Sequence, residues 1–509
     1  MTATADDRAA LARGGRTNIV GFIMRLAGRL PFLFIAGRLY GADSVGRFAL
    51  AVVVVELAAL IATLGLKRGL AQALANTERD HTHVVADGMA VAALASAIAG
   101  AVLILLPRVM YPHGDITLVE RLLPCIIVAS AWSDVSLSAL AYRHNVKASV
   151  TARALVEPWT ISAAALAFYY IDARDGLVLS YMLSMAAAMV ASVVPLLRSY
   201  GVPHGWTPHV ARVMNLARRN APLAGADAIE WATRNVDRFI LGLLFPPAIV
   251  GIYYMAQQVA SIPQKLKTSF DPILGPVIAT SLARDDKAAI AGQVRQVGFW
   301  IMALQGCLAL MGSIPGEAVM GLVGKQFVAG TAALAFLLWA EVFASTGAVC
   351  ESALVYVARH RNLMISAGIL LFQIALSFGL VAFMRSLDWD RSILRHLGKK
   401  DSVQGASVAI ALLIAVTVGS VIKSNFLAHL LKARVAGWRW SLLLAGVTAI
   451  LVGTAFTTLP KSYEWAELAI GEPAIMVSYL YVLWKWAFRP EDRALFKKLP
   501  GADPAPATT

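Results

Sequence analysis

Apolar runs of about twenty residues, separated by short polar connections, recur from one end of the chain to the other. A helical run of that length matches the hydrocarbon thickness of a bilayer, so each run predicts a membrane-spanning helix. The pattern predicts 14 spans, at roughly 17–40, 47–69, 84–106, 117–141, 150–171, 177–198, 221–244, 248–280, 289–314, 328–356, 362–384, 403–426, 440–459 and 472–488. The predicted fold class is therefore an all-α polytopic membrane protein.

Spans one and two resemble spans seven and eight. The segment GRLYGADSVGRFALA (37–51) aligns with GLLFPPAIVGIYYMA (242–256), 205 positions later. At that shift Arg29 coincides with Arg234, Gly46 with Gly251, and Thr63 with Thr268. An even number of spans separates the copies, so both have the same orientation in the membrane. This predicts two pseudo-symmetric six-helix lobes, with substrate at their interface, followed by two extra C-terminal helices.

The predicted division of the chain follows from this repeat. It comprises an N-terminal tail 1–16, an N-lobe 17–198, a basic linker 199–220, a C-lobe 221–426, an extra helix pair 427–488 and a C-terminal tail 489–509. The extra pair carries no buried ionic face, so we expect it to pack outside the two-lobe core. The eighth span is too long to be straight, and its prolines predict a kink.

The composition is that of a membrane protein, and this changes how the positive net charge of the chain is interpreted. Of the 509 residues 58% are hydrophobic and 15% charged, with mean hydropathy +0.66, whereas soluble domains carry about 25% charged residues. A net charge of +14 would suggest nucleic acid in a soluble protein. Here Lys and Arg lie mostly in alternate connections, which predicts cytoplasmic termini and no nucleic-acid partner. The basic loop 385–401 departs from this alternation.

Span seven carries an unusual density of charge. Its ionic residues are Asp227, Glu230, Arg234, Asp237 and Arg238, which fall within an arc of about 100° on a helix. A charged side chain near the bilayer centre costs several kcal/mol, so this face must turn toward protein or a water-filled cavity. We expect it to line a transport cavity.

The repeat places two arginines at similar depth. Arg29 lies about 18 Å and Arg234 about 20 Å along their spans. Two guanidiniums at matched depth favour an anion site, because the planar fork of arginine binds phosphate oxygens in pairs. The alternative is that Glu230 and Asp237 neutralise Arg234 on the same helix.

The remaining candidates are polar residues inside predicted spans. The predicted cavity residues are Arg25, Arg29, Arg234, Arg238, Lys265, Gln257 and Gln264. The acids Glu56, Asp134, Glu230, Asp237 and Glu341 are predicted to bind a coupling proton or cation, or to pair with the arginines. Three cysteines lie inside apolar spans without metal-ligand spacing. No phosphate-binding glycine loop or nucleophile motif occurs in the sequence, so neither a metal, a cofactor nor an enzymatic activity is expected.

Two pairs of segments carry a family resemblance. GRLYGADSVGRFALA with LGLKRGLAQALA, and NVDRFILGLLFPPAIVGIYYMAQQVA with LGPVIATSLAR, resemble the polysaccharide-repeat-unit flippases (Wzx type) of the multidrug/oligosaccharidyl-lipid/polysaccharide exporter superfamily. The resemblance covers spans one to twelve. It implies two six-helix lobes, alternating access and a cationic central cavity, in which Arg29, Arg234 and Arg238 occupy charged positions.

The same resemblance implies a function. The expected activity is transfer of a polyprenyl-pyrophosphate-linked oligosaccharide from the inner to the outer leaflet of the bacterial inner membrane, for exopolysaccharide or O-antigen biosynthesis. The expected partners are that lipid-linked substrate, membrane lipids and the polysaccharide polymerase or export machinery. The competing hypotheses are a peptidoglycan-precursor flippase, a multidrug/cation antiporter of the same superfamily and a membrane polymerase or ligase. The matched arginines favour an anionic substrate over a cationic drug.

Overall fold

The computed structural model describes residues 24–25, 27–143, 145–284, 286–387, 400–458 and 464–489. The predicted tail 1–16, the start of the first span, most of the loop 385–401 and nearly all of the predicted tail 489–509 lie outside the described residues. All regular secondary structure within the described ranges is helical. This confirms the predicted fold class.

The helices up to the middle of the chain are α1 (27–40), α2 (Gly41–Ala62), α3 (Leu66–Ala75), α4 (His81–Leu105), α5 (Leu118–Leu122), α6 (Ile126–Tyr142), α7 (Val146–Val150), α8 (Glu157–Tyr169), α9 (Gly176–Tyr200) and α10 (Val210–Leu244). Short 3₁₀ and π-helical turns, Leu123–Cys125 and Thr151–Val156, join α5 to α6 and α7 to α8.

The later helices are α11 (Pro247–Ala283), α12 (Lys287–Ser313), α13 (Gly316–Val323), α14 (Thr331–Val357), α15 (Arg359–Ser386), α16 (Lys400–Leu431), α17 (Ser441–Thr457) and α18 (464–487). Each of the 14 predicted spans has a helical counterpart. By length and composition, 8 helical runs in the described ranges can cross a membrane, so the chain is a multi-pass membrane protein.

The helix α10 begins at Val210, inside the predicted linker 199–220. Its first turns contain Ala, Arg, Leu and Met, which favour helix even outside an apolar run. The counterpart of the predicted eighth span is α11, which runs as one helix past Pro263 to Ala283; the kink predicted at its prolines stays a prediction.

One apolar run, Ala27–Ala75, contains two crossings. Gly41 between α1 and α2 has φ of +84°, a conformation that favours glycine. The rings of Phe32 and Phe48 lie 6.0 Å apart between centroids, whereas a straight helix would separate these positions by about 24 Å. The chain therefore reverses at Gly41 and forms a helical hairpin.

The two copies of the repeat meet backbone to backbone. A methyl group added at Gly46 would lie 1.7 Å from the carbonyl oxygen of Pro247 and 2.8 Å from the amide nitrogen of Gly251. One added at Gly251 would lie 2.0 Å from the carbonyl oxygen of Ala42 and 2.8 Å from the nitrogen of Gly46. Ala42 and Pro247 are counterparts at the 205-residue shift. Each glycine thus meets the same two positions of the other copy. A two-fold relation between the copies produces such a reciprocal contact.

Internal contacts divide the chain into two units. The first unit contains Met1–Met255, Gly321–Gly330 and Leu370–Val408; the second contains Ala256–Met320, Thr331–Ile369 and Ala409–Thr509. These bounds differ from the predicted lobes 17–198 and 221–426, which stay a prediction. A core of the first unit joins Leu70 of α3, Leu140 of α6 and Tyr200 of α9.

The extra C-terminal helices belong to the second unit, where they pack on α12. Phe299 of α12 contacts Phe488, with ring centroids 5.9 Å apart, and the Arg439 guanidinium lies 3.7 Å from the Phe299 centroid. On their other side, Leu451 and Tyr481 are 66% and 60% exposed. Such apolar exposure suits contact with lipid chains.

Candidate functional site

A cavity of about 590 Å³ lies inside the first unit. Its wall comes from Arg25 just before α1, from α1, α2, α3, α6, α7, α8 and α9, and from the π-helical turn before α8, with one aromatic side chain each from α10 and α11. The acidic and basic side chains that line it are those of Arg25, Arg29, Lys67, Arg153, Glu56, Asp134 and Glu157. Because charges within a membrane protein face water or one another, we expect this cavity to contain water.

Four of these charges neutralise one another. Arg153 donates hydrogen bonds to Asp134 and, at 2.9 Å, to Glu157. Lys67 Nζ lies 3.7 Å from the second oxygen of Asp134. Arg153 stands on the π-helical turn Thr151–Val156, a distortion often found at functional sites. This part of the wall is therefore polar but carries no net charge.

Arg25 and Arg29 form the positive part of the wall. Arg25 lies just before α1 and Arg29 lies on it, and their spacing of four residues is that of side chains on one helix face. Arg29 is half-buried and Arg25 is exposed. Within the described ranges, neither guanidinium has a carboxylate at ion-pair distance. These two adjacent cations therefore give this part of the wall a positive charge that no described carboxylate neutralises at ion-pair distance.

Packing fixes α1 between the two arginines. The hydroxyl of Ser162 on α8 donates a hydrogen bond of 2.6 Å to the carbonyl oxygen of Gly28. Gly28 also lies so close to Trp159 that an added methyl group would stand 2.9 Å from the indole ring. The arginines therefore extend from a helix that is held closely against its neighbour.

The ionic face of α10 divides between two environments. Arg234 is 42% exposed and its Nη2 lies 3.5 Å from Oε1 of Glu230. The other oxygen of Glu230 lies 3.1 Å from Nη2 of Arg68 on α3, and Nε of Arg68 lies 3.1 Å from Asp227. These charges of α10 are paired with each other and with α3.

Asp237 and Arg238 are buried instead. Asp237 is 0% exposed, and it accepts hydrogen bonds of 2.7 Å from the Tyr253 hydroxyl and 2.8 Å from the Arg238 amide. The Arg238 guanidinium donates to the side-chain oxygen of Asn235 and lies 5.6 Å from the ring centroid of Tyr254. Tyr254 lines the cavity, so Arg238 lies behind the wall.

The structure brings part of the predicted set together. Arg25, Arg29, Glu56 and Asp134 line the cavity, whereas Arg234, Arg238, Glu230 and Asp237 do not. Gln257, Gln264 and Glu341 belong to the second unit, and the side chain of Lys265 lies outside the described residues. The predicted phosphate site between Arg29 and Arg234 stays a prediction, without support from a shared cavity.

Sequence reasoning missed Lys67, Arg153 and Glu157. Arg153 and Glu157 stand four residues apart inside the predicted span 150–171, the same signal that drew attention to α10. Lys67 falls at the end of a predicted span, where a lysine is ordinarily explained by membrane orientation. Its neighbour Asp134 is distant in sequence, so no local pattern indicated the contact.

Comparison with known proteins agrees with this architecture. The family model described as polysaccharide biosynthesis protein matches residues 17–280. No curated protein sequence matches the chain significantly. The lipid II flippase MurJ in an inward closed conformation is similar in structure, with TM-score 0.72 and 11% identity, covering 94% of this chain and 100% of that chain. An inward-facing MATE family multidrug resistance transporter of the MOP superfamily gives TM-score 0.61 and 13% identity, covering 81% and 99%.

A MOP superfamily transporter from Pyrococcus furiosus gives TM-score 0.56 and 13% identity, covering 83% of this chain and 95% of that chain. At such identities the likeness shows a shared fold and says nothing about a shared substrate. The fold of the predicted superfamily is confirmed, while the repeat-unit flippase subtype stays a prediction. With more than half of its residues matched by the family model, the chain belongs to the polysaccharide biosynthesis protein family and has the fold of the MOP-superfamily transporters.

Proposed function

We propose that the chain is a flippase for a polyprenyl-pyrophosphate-linked oligosaccharide, which it moves from the inner to the outer leaflet of the bacterial inner membrane. The observation that carries this proposal is the pair Arg25 and Arg29, which line a cavity without an ion-pair partner among the described residues. A pyrophosphate diester offers several anionic oxygens to two guanidinium forks. The lipid chain of the substrate stays in the bilayer.

The rest of the wall suits a sugar. Ser130, Ser138 and Ser149 supply hydroxyl groups, and Trp231 and Tyr254 supply aromatic surfaces. The neutral network of Arg153 adds polar atoms without binding a second anion tightly. A volume of about 590 Å³ lies within the range of about 300–1,000 Å³ of small-molecule sites, so a headgroup of pyrophosphate and sugar fits.

Translocation requires no covalent step, so the chain acts as a transporter and not as an enzyme. Alternating access would expose the cavity first to the cytoplasm and then to the outer side, with both termini cytoplasmic. The headgroup needs such a path because charged and hydroxylated groups do not cross hydrocarbon unaided. A polysaccharide polymerase or export machine would consume the product outside.

A peptidoglycan-precursor flippase is the second candidate. The lipid II flippase MurJ shares the fold of this chain over 94% of its length. Lipid II also carries a pyrophosphate, so Arg25 and Arg29 suit both substrates. A drug/cation antiporter is disfavoured, because four cations and three carboxylates line the cavity.

The test is transport in reconstituted vesicles at matched protein abundance. A fluorescent farnesyl-pyrophosphoryl disaccharide is placed in one leaflet, and its appearance in the other is followed with a membrane-impermeant quencher. We expect wild type to transport it, and Arg29→Gln to lose about 10- to 150-fold in affinity, the effect of one charge-assisted contact. Arg29→Lys should keep part of the activity, because lysine retains the charge without the fork.

Arg198→Gln is the matched control, because Arg198 is exposed at the end of α9 and lies outside the cavity lining. It should transport as wild type does. Transport of a peptide-bearing lipid II analogue without transport of the disaccharide lipid would establish the second candidate. Transport of a cationic dye alone would overturn both proposals.

A further inference from the structure

One aromatic side chain of the cavity stands midway between two contacts that fix its helix. Trp231 of α10 lines the cavity. Eleven residues after it, a methyl group added at Gly242 would lie 2.5 Å from the side chain of Leu50 on α2. Eleven residues before it stands Asn220, whose side-chain oxygen would lie 1.7 Å from a methyl group added at Gly69 of α3. These contacts hold α10 against α2 and α3 on both sides of Trp231.

The ring of Trp231 is held in place but is not covered. Its centroid lies 6.2 Å from that of Phe239 on the same helix, with 73° between the ring planes. Trp231 is half-buried and lines the cavity, whereas the other aromatic side chains of the described lining are buried: Phe32, Phe48, Tyr181 and Tyr254. Trp231 therefore offers the cavity more free aromatic surface than these do.

Hydroxyl groups line the same end of the cavity. Ser130, Asp134 and Ser138 follow one another at intervals of four residues on α6, and all three line the cavity. The Ser138 hydroxyl donates a hydrogen bond of 3.4 Å to the carbonyl oxygen of Leu66, the first residue of α3. Ion pairs join α3 in turn to α10, one of them with the residue that precedes Trp231. The hydroxyl face of α6 and the indole ring are thus both placed by α3.

Three polar groups at this end are available to a ligand. Ser130 of α6 and Ser149 of α7 line the cavity, and within the described ranges neither hydroxyl has a hydrogen-bond partner. The same holds for the indole N–H of Trp231 among the described residues. A polar group without a partner is costly once water is excluded. A ligand that fills this end of the cavity must therefore supply hydrogen-bonding groups.

The arginine pair lies at a different level of the same cavity. The rings of Phe32 and Phe48 meet in the hairpin of α1 and α2, so Arg29 stands opposite the third residue after Phe48. From the contact of α10 with α2, Trp231 lies about ten residues further along α2, or about 15 Å. Arg25 lies on the side of Arg29 that is nearer Trp231. This separation leaves room for a sugar ring between the guanidinium groups and the indole.

We infer that Trp231 is the surface on which the first sugar ring of the headgroup stacks, with the hydroxyl groups of α6 and α7 bound to the edge of that sugar. One face of a pyranose carries C–H groups and packs on an aromatic ring, while its hydroxyl groups need polar partners. The ion pairs beside Trp231 leave no net charge, so the sugar that fits is a neutral one. The inference rests on the proposed function, because it needs the pyrophosphate at Arg25 and Arg29.

A comparison of two probes isolates the sugar. The first probe is farnesyl-pyrophosphoryl-N-acetylglucosamine, and the second is the same pyrophosphate diester with a methyl group in place of the sugar. Both carry the same charge, and calorimetry on the full chain in lipid nanodiscs gives both affinities. Wild type should bind the sugar probe about 10- to 30-fold more tightly, as for one central aromatic anchor. Trp231→Leu should abolish most of this ratio without changing the affinity for the methyl probe.

Three further measurements sharpen the assignment. Trp231→Phe should keep most of the ratio, because it keeps an aromatic face. Ser130→Ala should lower the ratio by about 2- to 10-fold, the effect of one hydrogen bond. A probe whose sugar carries a carboxylate at C6 should bind more weakly than the neutral sugar probe. The control is Trp440→Leu, at an exposed position outside the cavity lining, which should match wild type.

The outcomes separate this inference from the proposed function. Equal affinity of wild type for both probes overturns the sugar platform and leaves the anion site intact. A Trp231→Leu variant that weakens both probes equally gives Trp231 a structural role and also overturns it. If that variant does not fold, an unchanged ratio in Ser130→Ala has the same effect. Tighter binding of the acidic sugar overturns the neutral substrate class. Failure of wild type to bind either probe overturns the proposed function and this inference together.

Discussion

The two copies of the repeat keep one contact and differ in another. Gly46 of α2 and Gly251 of α11 approach each other's backbone in the same way. The matched arginines, by contrast, have different surroundings. Arg29 lines the cavity, whereas Arg234 pairs with Glu230 on its own helix.

A single exchange accounts for much of this difference. Glu230 stands one helical turn before Arg234, and its counterpart at the 205-residue shift is Arg25. The second copy thus has an acid and a base at spacing i, i+4, which attract each other. The first copy has two bases at the same spacing. In the second copy Glu230 neutralises Arg234. In the first copy Arg25 adds a second positive charge beside Arg29.

The comparison shows which features a repeat must retain. The contact between Gly46 and Gly251 is shared by both copies. A bulkier residue at either position would therefore push α2 and α11 apart. A side chain away from the axis meets different neighbours in each copy and is free to change. Backbone packing is therefore symmetric here, while the distribution of charge is not.

The largest expected effect comes from giving the first copy the charges of the second. Arg25→Glu would place an acid four residues before Arg29, so the pair becomes neutral. Affinity for farnesyl-pyrophosphoryl-N-acetylglucosamine should fall by at least about 100-fold, since one contact is lost and the other is neutralised. Isothermal titration calorimetry measures it. Arg25→Gln, which only removes a charge, should lose less; an equal loss would show that pairing with Arg29 is irrelevant.

The glycine contact gives the next largest effect. Gly46→Ala and Gly251→Ala should each lower the free energy of unfolding by about 1–3 kcal/mol, because the added methyl group overlaps backbone atoms. Thermal unfolding in detergent measures the loss. Gly225→Ala is the control, since no atom lies within 4 Å of a methyl group there.

The double variant at the glycine contact tests the symmetry itself. Once one methyl group has moved the helices apart, a second should cause little further loss, so the two effects should not add. Full additivity, or a loss at only one of the two glycines, would contradict a shared contact on the axis.

The smallest expected effect is that of Arg234→Ala. Affinity for the same probe should stay within about twofold of wild type, because Arg234 does not line the cavity. The free energy of unfolding should fall by less than about 1 kcal/mol, as for other exposed ion pairs. A loss of affinity as large as that expected for Arg29→Gln would instead support the predicted phosphate site between the two copies.

The helices and their repeat follow from the sequence alone. Hydropathy over a span's length is a local quantity, so it located a helix for each predicted crossing, including the pair joined at Gly41. The cost of burying charge is local too, so Arg29, Glu56 and Asp134 were recognisable as residues that avoid lipid. The shift that pairs Gly46 with Gly251 was visible in the sequence because both positions allow a close backbone approach, which requires the same small residue.

Which charges meet was decided only by the tertiary structure. Arg153 forms ion pairs with Asp134 and Glu157. Arg68 of α3 forms ion pairs with two acids of α10, Asp227 and Glu230. These partners come from different helices, and nothing in a single helix specifies which neighbour will face it. Ion pairing depends on distances of a few ångströms between such helices. The sequence therefore determined that these charged residues avoid lipid, and the packing of the helices determined which of them pair and that Arg25 and Arg29 line the cavity without a described carboxylate at ion-pair distance.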